Sequence, residues 1–154
     1  MADLKKLSLF SLIFGAIVGI LSLLPILGVI SFLLIIFCSS FVILTIMKKT
    51  GNMVCPNEQK GLAYGGLAGF VAFIGFVITF LPLAFILSLI FKESYYTGVS
   101  MILKGGFTLT ITLIVFIGIL CAMMNSFSGL ASIYFFNSEN NNAKFTLDIK
   151  KKEK

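Results

Sequence analysis

Polar and apolar positions in this chain do not alternate finely; they separate into long blocks. Leu7–Met47 runs for 41 residues without a charge, Gly61–Phe91 for 31 and Gly105–Ser138 for 34. The charges gather between them, at 1–6, 48–60, 92–104 and 139–154. An α-helix needs about 20 apolar residues to cross the hydrocarbon core of a bilayer. As a single helix the first run would extend about 62 Å at 1.5 Å per residue. It is therefore expected to turn and cross twice. Pro25 and Gly28 are the breakers near its middle, because proline removes a backbone donor and disfavours helix at the residue before it. The pattern predicts spans at about 7–24 and 27–47, joined by a tight turn at the membrane surface.

The second run predicts one span, about 62–82, which Pro82 kinks or ends, with a possible extension to 91. The third predicts a span at about 105–124. There Asn125-Ser126-Phe127-Ser128-Gly129 should weaken the helix before the apolar piece Leu130–Phe136, so extension to 136 and a fifth crossing stay open. The expected fold is all-α. It is an integral membrane bundle of four transmembrane helices, with a tight Pro/Gly N-terminal hairpin followed by a second hairpin. Residues 1–138 form its single transmembrane domain, and 139–154 a flexible basic tail.

Composition agrees with this reading. Apolar residues make up 58% of the chain and charged residues 12%, against about 45–50% and about 25% in soluble domains. All twelve basic residues are lysine. Four spans would put Lys5, Lys6, Lys48, Lys49, Lys60 and the five lysines after 139 on one side, with Lys92 and Lys104 opposite. The positive-inside bias then makes both termini cytoplasmic. The first apolar stretch lacks a small-x-small cleavage pattern and reads as an uncleaved span. Ala2 stands where myristoylation requires glycine. Lysine without arginine, with abundant Phe, Ile and Asn, points to an AT-rich genome. The expected location is a bacterial cytoplasmic membrane, or the endoplasmic reticulum membrane in a eukaryote.

Glycine is the most informative local signal. Gly61, Gly65 and Gly69 recur at every fourth position, as do Gly15 and Gly19, a glycine-zipper spacing. Such a face lets a second backbone approach closely, a main source of helix association where lipid removes the hydrophobic drive. The spacing predicts packing between the first and third spans, with self-association as the alternative. Gly15–Gly19 echoes Gly65–Gly69, and Ser22–Ile26 echoes Thr79–Leu83, but each match is only five residues long.

Chemistry is sparse. The chain has no histidine, the commonest acid/base group and metal ligand. Cys38, Cys55 and Cys121 form no Cys-x-x-Cys pair, so no metal or cofactor is expected. Cys38 and Cys121 read as small apolar residues and Cys55 as a loop thiol. Ser31, Ser39, Ser40, Thr45, Ser88 and the threonines at 108, 110 and 112 read as neutral helix hydrogen-bonders. No acidic or basic residue falls inside a predicted span, which argues against proton coupling and voltage sensing. Lys48, Lys49, Lys150, Lys151 and Lys152 are expected to meet anionic lipid headgroups; nucleic-acid binding is not expected.

The function these features favour is a non-enzymatic accessory or assembly subunit that works through glycine-mediated packing, as a homo-oligomer or with a membrane-protein partner. The alternative is an oligomeric channel or holin-like pore. A lipid-modifying enzyme would have only Glu58, Glu93, Tyr95 and Tyr96 to use, and is less favoured.

Overall fold

The structure, a computed structural model, describes residues 2–51, 58–91 and 104–152. These residues hold five helices: α1 (Ala2–Leu21), α2 (Pro25–Phe37), α3 (Ser39–Lys49), α4 (Glu58–Phe91) and α5 (Phe107–Lys152). No strand occurs among the described residues.

The first turn lies where the proline predicts it. α1 closes with Ser22 N–H donating to Val18 O, and α2 opens with Pro25 in its first turn after an extended Leu24. Proline suits that position because its missing N–H would lack a helical partner there anyway. Gly28 takes no part in the turn; it already lies inside α2, its N–H bonded to Leu24 O. Pro82 does not end α4, which continues to Phe91.

Two expectations are corrected. The stretch 27–47 is not one straight span, because the helix breaks at Cys38 and its halves, Ile26–Phe37 and Ser39–Lys49, are bent by 72°. Asn125–Gly129 does not weaken the last helix, and α5 passes through it, through Leu130–Phe136 and on to Lys152. The backbone at 139–152 continues the same helix. Within α5, Ser126 donates its hydroxyl to Ala122 O four residues back, a bond that only slightly disfavours helix.

Three helices contain segments long and apolar enough to cross a membrane: Leu4–Leu21, Gln59–Ile90 and Phe107–Phe135. The bent pair makes a fourth if counted as one broken span. The distribution of side chains is inverted relative to a water-soluble domain. Ser11, Ser22, Ser31, Ser39, Ser40, Thr110, Asn125 and Ser132 are buried, while Ile26 is 85% and Ile78 63% exposed. Water would penalise such a surface heavily; hydrocarbon would not. The fold is compatible with an integral membrane protein.

α4 is the central helix, packed against α1 on one side and α5 on the other, and α2 and α3 each contact all three. Phe73, Phe76 and Phe80 form a stacked row along α4, with centroids 6.4 and 5.1 Å apart, and Phe32 of α2 tilts onto Phe76.

Among the described residues two glycines carry positive φ, Gly51 at 66° after α3 and Gly106 at 99° before α5. Gly51 donates to Lys48 O and Thr50 to Ile46 O, closing α3. A Cβ at Gly51 would meet nothing within 4 Å, so only the left-handed conformation opposes a side chain. Gly51→Ala should therefore cost about 1 kcal/mol, read as a modest drop in thermal midpoint in detergent.

Candidate functional site: a buried amide at a broken helix

A helix end leaves carbonyls without intrahelical partners, and a helix start leaves N–H groups. At Cys38 both kinds of orphan occur back to back. Cys38 sits at φ −121°, ψ −6°, outside helical geometry. Its own N–H still reaches Leu34 O, and its carbonyl receives Val42 N–H. The helical partners that Ile35 O and Ile36 O would have in a continuous helix, the N–H groups of Ser39 and Ser40, are turned away.

Asn125 supplies what the break removes. It lies on α5, fully buried. Its Nδ2 donates to Ile35 O at 2.8 Å, Ile36 O at 2.9 Å and, on its own helix, Cys121 O at 3.0 Å. Two protons thus serve three carbonyls. Its Oδ1 accepts from Ser40 N–H and from the Ser39 hydroxyl, each at 2.9 Å. The Ser39 hydroxyl also lies 3.2 Å from Ile35 O. The Ser40 hydroxyl donates to Gly65 O of α4 at 2.5 Å, tying a fourth helix into the same node. Only an amide of this length carries donors and an acceptor together. A reversed amide would set its oxygen against three carbonyls.

Such backbone is tolerated at membrane depth only where protein or a polar cavity satisfies it. Here protein satisfies it.

The predicted glycines surround this node and close the helix pairs. An added Cβ at Gly65 would stand 2.5 Å from Asn125 O and 2.8 Å from Gly129 Cα; one at Gly69 would overlap the Asn125 side chain, and one at Gly61 the Ile133 side chain. All three therefore face α5. Gly15 and Gly19 face α4: a Cβ at Gly15 would overlap the Ala72 carbonyl, and one at Gly19 would lie 3.0 Å from Phe76 O. The two glycine faces do not meet each other. Gly75 and Gly129, which the four-residue spacing did not single out, complete the seams: an added Cβ would stand 2.5 Å from Leu12 O at Gly75 and 2.6 Å from Gly61 O at Gly129.

Ser39 and Ser40 reach beyond their own helix, and Thr45, Thr110 and Thr112 bond back to carbonyls four residues earlier. Cys38 is exposed and Cys121 buried. Among the described residues no three metal-ligating side chains cluster. Lys48 and Lys49 end α3, where cations favour the helix dipole, and Lys150, Lys151 and Lys152 fall in the last turn of α5. Cys55, Lys92, Glu93, Tyr95 and Tyr96 lie outside the described residues.

Asn125 is the residue that sequence reasoning missed as a site. Its signal was its strong polarity at the edge of an otherwise apolar run, opposite a Ser39-Ser40 pair in the middle of another.

No protein-family model matches the chain, and no curated protein or solved structure is significantly similar to it.

Proposed function

We propose that this chain is a small four-span integral membrane protein that acts without chemistry of its own, as an accessory or assembly subunit. The α2–α3 pair counts as one broken crossing, both termini are cytoplasmic, and the lysine-rich rim meets anionic headgroups. The observation that supports this reading is the Asn125 node. Its amide and the hydroxyls of Ser39 and Ser40 are spent on backbone and on one another. A polar centre so saturated locks a shape and offers little to a passing solute.

The glycines serve the interior in the same way. A partner would then meet the outer face of α2, where Ile26, Val29, Ile30, Leu33 and Phe37 recur at helical spacing, each at least half exposed. Purification under mild detergent from native membranes should recover the chain with a stoichiometric membrane partner or a second copy. Recovery of the monomer alone would remove the proposal.

The break itself favours the alternative of an oligomeric pore, since broken helices line solute paths in many transporters. Purified protein in liposomes should leak no faster than empty vesicles if the subunit reading holds. Flux of small solutes above that background would favour the pore.

A further inference from the structure

α1 and α3 do not close fully on one another. Phe10, Ile13, Phe14 and Ile17 of α1, with Ile43 and Ile46 of α3, line a cleft of about 190 Å³. All six are apolar, and Ile13, Ile17 and Ile46 stand open at 48%, 53% and 42%. An apolar cavity of about 150 Å³ already holds a hydrocarbon guest.

Both walls of the cleft end in a cation. Residues three or four apart share a helix face, so Lys6 continues the face of Phe10, Ile13 and Ile17, and Lys49 that of Ile43 and Ile46. At 1.5 Å per residue the two lie about 6 Å and about 4.5 Å beyond the last lining residue of their helix. Both are exposed. The start of α1, the end of α3 and the start of α4 together carry Lys5, Lys6, Lys48, Lys49 and Lys60 against Asp3 and Glu58, a positive balance. Basic pockets between membrane helices on this side suit anionic headgroups.

We propose that the α1–α3 cleft is a binding site for one anionic phospholipid, with an acyl chain against the isoleucines and the phosphate between Lys6 and Lys49. The inference rests on the integral-membrane reading above and goes beyond it. It assigns one seat with a defined lining, distinct from diffuse attraction along the rim.

The test is native mass spectrometry of the full chain released from nanodiscs of phosphatidylcholine doped with phosphatidylglycerol. Failure to enter nanodiscs at all would sink the membrane reading before any lipid is scored. With the protein inserted, one phosphatidylglycerol should be retained selectively. Its affinity should fall about fivefold for Lys6→Gln or Lys49→Gln and about thirtyfold for both. Lys6→Arg with Lys49→Arg should retain it, and Lys60→Gln on the same rim should leave it unchanged. Ile13→Trp, with every lysine in place, should release the lipid by filling the cleft. Equal loss in Lys60→Gln, undiminished retention in the double glutamine variant, or full retention in Ile13→Trp would each overturn the assignment.

Discussion

Asn125→Leu should destabilise the fold by about 2–4 kcal/mol and loosen the bend between α2 and α3. Leucine matches asparagine closely enough in size, but it leaves Ile35 O, Ile36 O and Ser40 N–H without the partners that the amide provides. Each buried group stranded in this way costs about 1–3 kcal/mol in protein interiors. Single hydrogen bonds within membrane bundles average only about 0.6 kcal/mol, because the unfolded chain in lipid finds other partners. The sum over the node therefore falls around the lower end of the range that three orphans would suggest. Ser39→Ala removes one hydroxyl that shares its acceptor with Ser40 N–H, and should cost no more than about 0.6 kcal/mol. Unfolding by denaturant in mixed micelles, monitored by far-UV circular dichroism, distinguishes the two. Equal effects for Asn125→Leu and Ser39→Ala would mean that the amide does not hold the break.

Gly15→Ile and Gly65→Ile carry the other large effect. In an open helix, replacing glycine gains roughly 0.5–1 kcal/mol, since glycine is costly to order. Here the sign reverses. The first atom added at Gly15 overlaps the carbonyl of Ala72, and at Gly65 it stands 2.5 Å from Asn125 O and 2.8 Å from Gly129 Cα. Those neighbours are backbone and cannot rotate aside, so the helices must separate along the whole seam. Overpacking of this kind costs typically about 1–3 kcal/mol, and close backbone packing is a main attraction between membrane helices. Loss of folded monomer is the expected outcome for both. Gly118→Ala is the control, because its new Cβ would meet the edge of the Phe70 ring at 3.1 Å, and a ring can tilt. Thermal aggregation in detergent, read by size-exclusion chromatography, would show Gly15→Ile and Gly65→Ile failing well below Gly118→Ala. If oligomer size changed instead while the monomer stayed stable, the glycines would face outward.

Placement of the apolar helices was legible because charge is excluded from them, and Pro25 marks its turn by removing a donor where a helix begins. The break at Cys38 was not legible. No proline or glycine lies between Val29 and Met47, so nothing local stops the helix. What stabilises the break is an amide 87 positions away in the chain, and that pairing exists only once α5 has docked. The same residue misled in its own helix: Asn125 has low intrinsic helix propensity, but in α5 its side chain is occupied by α2 and α3. Propensity yielded to tertiary bonding.

The glycines show a related division. Their spacing marks which faces approach closely, because the missing side chains are visible in the sequence. Which helix each face meets depends on how α4 is flanked. α4 presents Gly61, Gly65 and Gly69 to α5 and turns Ala72 and Gly75 toward α1. A single helix with small residues on two sides can serve as the middle of three, and this is the arrangement found.

Asn125 holds the break between α2 and α3 bent, and a distance measurement across it tests this most directly. Spin labels at Ile26 and Lys49, in protein reconstituted into nanodiscs, report the separation of the two half-helices by pulsed dipolar spectroscopy. With a 72° bend, helical rise places the two backbone positions about 28 Å apart. A continuous helix of the same residues would place them about 35 Å apart. A narrow distribution near the shorter value is expected, broadening toward the longer one in Asn125→Leu. A narrow distribution near 35 Å in the unsubstituted protein would contradict it.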